Sequence, residues 1–203
     1  MMTIRRADPD DLPAVLGILH AAADALHERG YDQWPDGAPT LGPGKVGAQI
    51  KRGEFWIASG GAGPIAVIAI SPLGDRDFWT AAELAEPAVY LSKAAVLPSQ
   101  AGRGIGALLF RWATDYAARL GADWVRLDAW RTNTGLHDYY QQRGWQRIRA
   151  MTVPGRKSGV LFARRALPDL EARETFAVAV PVPAGAASDR ACRQHKSRAT
   201  VIQ

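Results

Sequence analysis

The segment that most constrains this chain is Gln100-Ala101-Gly102-Arg103-Gly104-Ile105-Gly106-Ala107. It lies between a strand-like run, Val89 to Val96, and an amphipathic run through Leu108, Leu109, Trp112, Tyr116 and Leu120 that Gly121 is placed to stop. A plain helix start would need one glycine. Three alternating glycines let backbone come close to an anion, and the first N–H groups of a helix have no intrahelical acceptor. With the positive end of the helix dipole behind them, residues 102–107 read as a cradle for a pyrophosphate that requires no lysine.

The flanking elements fit around such a unit. Asp8, Pro9, Asp10 and Asp11 open a helix in which Leu12, Val15, Leu16, Leu19, Ala22, Ala23 and Leu26 recur at helical spacing as far as Gly30. Residues 31–44 read as a loop, followed by a short helix around Val46 to Arg52. Strands are predicted at Glu54–Ser59 and Ile65–Ser71, joined by a hairpin turn at Gly60-Gly61-Ala62-Gly63. After a loop over 72–87 and the central strand and helix come a strand at Trp124–Ala129, a helix at Asn133–Gln142, and strands at Trp145–Met151 and Val160–Ala163. The order is helix, helix, strands, helix, strand, helix, strands, which is an α+β arrangement around one mixed sheet. Residues 1–165 are predicted to form this domain. Residues 166–203 lose the periodicity and are expected to be an appendage, partly disordered.

Composition excludes several other classes. With 47% hydrophobic and 22% charged residues over 203 positions, a packed globule is expected. The single cysteine, Cys192, excludes intramolecular disulfides and a cysteine-based zinc cluster, and no metal site is expected. No apolar leader or bilayer-length stretch is present, so a cytoplasmic location without membrane contact is expected. The net charge of +5 is spread along the chain, and the basic runs, such as Arg5-Arg6 and Arg164-Arg165, are short and without the aromatic interleaving of a nucleic-acid platform. No nucleic-acid partner is expected. A mild positive field suits a polyanionic cofactor.

Gly42-Pro43-Gly44-Lys45 lacks the spacing and the Ser or Thr of a nucleotide P-loop. Gly102, Gly104 and Ala107 do fit a dinucleotide fingerprint, with Asp128 in the place of its ribose-binding acid. Against it, Leu97 to Ala101 separate the strand from the first glycine, and the chain does not continue as repeated parallel strand–helix units.

The run Val96-Leu97-Pro98-Ser99-Gln100-Ala101-Gly102-Arg103-Gly104-Ile105-Gly106 resembles the signature of the GCN5-related N-acetyltransferases, the GNAT family. One departure is visible: Ala101 stands where that family carries Arg or Gln, with Gln100 one position away. The resemblance continues through Asp128 to Asn133 and Tyr140-Gln141-Gln142-Arg143-Gly144-Trp145, and covers residues 3–165, its specific part being 89–145. Helical spacing puts Asn133, Leu136, His137 and Tyr140 on one face.

The resemblance implies a mostly antiparallel central sheet flanked by helices, acetyl-CoA as acetyl donor, and transfer to a primary amine. It further implies that Tyr140 is the general acid for the departing thiolate, with Tyr139 facing elsewhere. By the same carry-over the backbone of Lys93, Ala94, Ala95 and Val96 holds the pantetheine arm and acetyl carbonyl. Gly102, Arg103, Gly104, Ile105, Gly106 and Ala107 hold the pyrophosphate, and Asn133 touches the cofactor. A thiol near pKa 8.5 and a phenol near 10 differ by roughly 2 kcal/mol, a gap that a local field closes.

A lysine-like amine is protonated at neutral pH, so a base must stand near the acceptor. Candidates are Asp128, Glu83, Glu86, Asp75, Asp77 and His137. Trp34, Trp79 and Trp130 are candidates for an aromatic wall around the acceptor, or for packing beneath loops, and Trp34, Trp79 and Asp128 are the residues assigned to it. A small-molecule amine is the expected acceptor, with a protein N-terminus or lysine as alternative. A non-catalytic acyl-CoA sensor on the same fold is the rival from another class, and a homodimer is left open.

Overall fold

The computed structural model describes residues 2–35 and 38–178. In chain order the elements are β1 (Met2–Arg6), α1 (Leu12–His27), α2 (Pro43–Lys51), β2 (Phe55–Gly60), β3 (Gly63–Ser71), α3 (Ala81–Ala85), β4 (Ala88–Val96), α4 (Ile105–Arg119), β5 (Trp124–Trp130), α5 (Thr134–Gln141), β6 (Gln146–Ala150), β7 (Ser158–Arg165), α6 (Leu170–Thr175) and β8 (Phe176–Val178). One sheet runs β6-β7-β5-β4-β3-β2-β1-β8. Its pairs are antiparallel except β4–β5 and β1–β8, which makes it mixed and mostly antiparallel, as expected.

Each face of the sheet has its own core. On one, α4 buries Leu109, Phe110, Trp112 and Ala113 against Ile68, Leu91, Leu127 and Phe162. Burying each large apolar side chain there contributes roughly 1.5–3 kcal/mol. On the other, α1 and α2 bury Val15, Ile18, Leu19, Val46 and Ile50 against Phe55, Ile57 and Val67. The 72–87 segment covers the remainder of that face through Phe78 and Trp79 on Leu161.

Three features differ from the sequence expectation. β1 precedes the first helix: in MTIRR only Ile4 turns fully into the core, so the strand carries almost no apolar period. Within the expected 72–87 loop, Thr80 and Glu83 form a capping box that starts the one-turn helix α3. The third concerns the expected boundary at 165. Residues 166–178 pack onto the domain: Ala172 and Phe176 are fully buried in the α4 core, and β8 pairs with β1 from Met2↔Phe176 to Ile4↔Val178. The fully buried Asp115 on α4 fastens this segment, accepting from the Asp169 N–H at 3.0 Å, Arg173 at 2.6 Å and Arg119 at 2.9 Å. The remainder of the expected appendage, 179–203, lies outside the described residues.

Glu83 also receives both terminal nitrogens of Arg149 at 2.7 Å, and with the Thr80 contacts this pulls its carboxyl from 4.5 down to about 2. A carboxyl whose folded value lies below its unfolded one adds stability above about 4.5 that drains as pH falls toward 2. The pair is 31% and 21% exposed, and solvent screening leaves it about 1 kcal/mol. Glu83→Gln is therefore expected to lower Tm at pH 7 and to have little effect at pH 2, as thermal unfolding at the two pH values would show.

Candidate active site

The central parallel strands β4 and β5 stay paired only from Ala88↔Trp124 to Leu91↔Leu127. Beyond that point β4 pairs with β3 (Val67↔Ala95, Ala66↔Val96) and β5 with β7 (Asp128↔Leu161, Ala129↔Val160). At the parting, the β3–β4 register shifts and Lys93 takes a φ of 49°, a left-handed conformation that side chains other than Asn and Asp rarely adopt. The sheet is thereby wedged open. A slot of about 330 Å³ passes through it, bounded by Ala94, Ala95 and Val96 of β4, Asp128 and Ala129 of β5, and Asn133, Tyr139 and Tyr140 of α5 and its cap.

At one end of the slot lies the glycine turn. Gly102 and Gly104 have φ of 76° and 75°, which only glycine takes at no steric cost, and Gly104 caps α4 without a side chain. The first helical bond runs from Leu108 N–H to Gly104 O at 3.0 Å, which leaves the N–H groups of Ile105, Gly106 and Ala107 without an acceptor among the described residues. These residues and Arg143 border a depression of about 320 Å³. Arg103 donates to Gln100 Oε1 at 2.6 Å, so Gln100 is engaged within the turn. The Arg143 guanidinium lies 3.7 Å from the Tyr139 ring centroid. Tyr139 does not face elsewhere: it borders both the slot and this depression. Neighbouring helical positions are about 100° apart, and a cleft bounded by both β4 and α4 is broad enough to admit both tyrosines.

Tyr140 is 7% exposed, with Phe162, Phe110 and Trp145 at 5.2, 5.5 and 5.8 Å between ring centroids. Burial, then Tyr139 and Asp128, push its phenol well above the usual value, so it keeps its proton at neutral pH. A thiolate in the same poorly solvated slot would be destabilised in the same direction, which preserves the proton affinity of one relative to the other. Asn133 lines the slot, but its amide is engaged on both sides. Oδ1 caps α5 by accepting the Leu136 N–H at 3.0 Å, and Nδ2 donates to Gln33 Oε1 at 2.8 Å. The resemblance reserved this amide for the cofactor; its position at the helix start gives it a capping task first.

A second cavity, of about 630 Å³, lies beside α2 and the 72–87 segment. It meets the slot at Ser92, Lys93, Asp128, Trp130 and Ser158. Of the candidate bases, only Asp128 stands at this junction. Burial raises its carboxyl above the ordinary range, with Asp75 adding to the rise and Ser158 and Arg156 opposing it. Glu83 is held by Arg149, and Glu86 by Arg126. Asp75 pairs with Arg156 at 2.7 Å, and Asp77 is 62% exposed beside the same Arg156. His137 Nε2 lies 2.7 Å from the Trp130 carbonyl, inside the α5 face.

The aromatic residues divide. Trp130 borders both cavities and donates from Nε1 to Asp32 at 2.9 Å. Trp79 is 4% exposed and sandwiched near Arg126 and Arg149, so most of its ring is packing and only an edge meets the second cavity. Trp34 borders the slot and not the second cavity, because its φ of 54° turns the loop back onto α1. Sequence reasoning missed Glu54 and Arg143 as site residues, and reserved Lys93 for its backbone alone. Glu54 is buried in the second cavity and accepts from Arg52, Gln49 and Ser71, yet in sequence it is only a charge before an apolar strand. Among the described residues no three His, Cys, Asp or Glu groups gather as a metal site, and no helix is long and apolar enough to cross a membrane.

Comparison with known proteins adds to this geometry. The family model described as the acetyltransferase (GNAT) family matches residues 19–145. An uncharacterized N-acetyltransferase of Bacillus subtilis (strain 168), YesJ, is 26% identical over 140 residues, covering 68% of this chain and 77% of that protein. Among solved structures, a GNAT family acetyltransferase of Listeria monocytogenes 4b F2365 superposes with a TM-score of 0.67 at 20% identity, over 81% of this chain and 94% of that one. The PaiA N-acetyltransferase of Thermoplasma acidophilum, solved in complex with coenzyme A, gives 0.61 at 15% identity, over 81% and 99%.

Proposed function

Since the chain belongs to the GNAT family of acetyltransferases and takes acetyl-CoA as its acetyl donor, we propose that it acetylates the primary amine of a small molecule by direct attack. The observation that carries this reading is the meeting of two cavities at Asp128, with Tyr140 on the donor slot and a separate chamber for the acceptor. The glycine-turn amides of residues 102–107 bind the pyrophosphate. The backbone of Ala94, Ala95 and Val96, which lacks a β5 partner, lies along the pantetheine arm. Asn133 and Gln33 fix the start of α5 and hence the Tyr140 hydroxyl.

In the reaction the amine nitrogen bonds to the acetyl carbonyl carbon and the C–S bond breaks. Asp128 takes the proton lost by the amine, and Tyr140 gives its hydroxyl proton to sulfur. Both groups are reset by proton exchange with solvent. A small acceptor is favoured because a chamber of about 630 Å³ lined by residues 155–158, Pro35 and Ala38 has the size of a small-molecule site.

Thiol release from acetyl-CoA across an amine panel tests the reading: binding of acetyl-CoA without thiol release would make the protein a sensor. Asp128→Asn tests the base. The raised carboxyl places the acid limb of kcat/KM above the ordinary carboxylate value of about 3.9, and this limb is expected to vanish in the variant with a loss of roughly 10²-fold in turnover. An unchanged limb would assign the base elsewhere.

A further inference from the structure

The acceptor chamber carries a charge pattern that restricts its occupant. Its walls hold four cations, Arg52, Lys93, Arg156 and Lys157, against three carboxylates, Glu54, Asp75 and Asp128. Three of the cations are paired: Arg52 with Glu54 at 2.8 Å, Arg156 with Asp75 at 2.7 Å, and Lys157 with Asp32 at 3.4 Å. Lys93 makes no ion pair or hydrogen bond among the described residues, although it is half-buried. It also holds the strained φ of 49° at the point where β4 leaves β5. A bulge of this kind re-aims a side chain, and such strain persists where the surroundings over-determine it. Here it brings Lys93 to the junction of the two cavities, beside Asp128.

We propose that Lys93 is the anchor for a carboxylate on the acceptor, so that the substrate is an amine that also carries a carboxylate, an amino-acid-like small molecule. This rests on the acetyl-transfer reading above. With Lys157 answered by Asp32, Lys93 is the one wall cation without a carboxylate in contact among the described residues, and the attacking form of such an acceptor, neutral at nitrogen and negative at carboxylate, supplies a single one. A dianionic phosphate would bring two negative charges to that single cation, beside the Asp128 carboxylate. Burial and the positive charge of Lys45 weigh against the Lys93 ammonium, Asp128 and Glu54 offset part of this, and an anion placed against it offsets more. Asp128, across the junction, is then free to receive the amine.

The test pairs amino acids with the amines of the same carbon skeleton that lack the carboxylate, and reads thiol release from acetyl-CoA. The wild type is expected to favour the carboxylate member by about 10- to 100-fold in kcat/KM, chiefly through KM. Lys93→Gln should erase that preference while calorimetry shows acetyl-CoA still bound, which controls for folding. Lys93→Arg should restore part of it, and Lys93→Glu should invert it toward diamines. Equal use of both members by the wild type, or an undiminished preference in Lys93→Gln, overturns the anchor while leaving amine acetylation intact. Thiol release with no amine of either class, despite bound acetyl-CoA, overturns the acetyl-transfer reading and the anchor with it.

Discussion

Tyr140→Phe is expected to lower turnover by about 10²-fold, within the range for loss of a general acid, while acetyl-CoA affinity changes less than about twofold. The substitution removes one oxygen and leaves the ring among Phe110, Trp145 and Phe162, so its packing persists. The hydroxyl opens onto the slot, and the phenol's raised pKa means that wild-type activity should not fall on the alkaline side through tyrosinate formation up to pH 9. Tyr139→Phe is the informative partner, because Tyr139 borders the same slot. If both variants lose turnover equally, the proton donor is not assigned to Tyr140; if neither does, the leaving thiolate departs without either. Stopped-flow thiol detection with saturating amine and calorimetry with acetyl-CoA separate the two effects.

The second large effect is expected at Gly104. An added Cβ there meets nothing within 4 Å, so a side chain has room, and any loss must come from backbone strain or charge. Asn and Asp are nearly isosteric, and both tolerate a φ near 75° better than other residues. Gly104→Asn is expected to weaken acetyl-CoA binding less than about tenfold. Gly104→Asp sets a carboxylate beside the free N–H groups of Ile105 to Ala107, where it competes with the pyrophosphate for the positive end of α4, and a loss of at least about 10²-fold is expected. Titration calorimetry of the two variants isolates the charge. Equal affinities would show that the turn does not hold the diphosphate.

What could be read in advance follows from which interactions are local. Strand, glycine turn and helix over 89–121 are legible because positive φ, helix capping and the period of α4 are written in neighbouring residues. Asp8 with Asp11, and Tyr140 before Gly144, are legible for the same reason. β1 is not, because its β2 partners, Ser59 to Trp56, lie far along the chain and only Ile4 faces the core. The acceptor chamber is illegible too. Lys93 matters through a bulge imposed by a register shift against β3, and Glu54 through burial beneath α2, neither of which leaves a mark on adjacent residues. Ala101 is legible as a departure from the family pattern, but the guanidinium of Arg143 at the same turn emerges only when α5 is set beside α4.

The fastening at Asp115 has a consequence for the molecule as a whole. Residues 169–178 lean on the helix that presents the glycine turn and at the same time complete the far rim of the sheet beside β1. A proteolytic nick after Arg165 would do two kinds of damage together: it would strip Arg173 and the Asp169 N–H from an interior carboxylate, and bare the backbone donors of Met2 to Ile4. A raw strand margin of this sort recruits its like from other molecules. The nicked protein would accordingly be found in aggregates, its donor site weakened from a distance without any residue of that site having been cut.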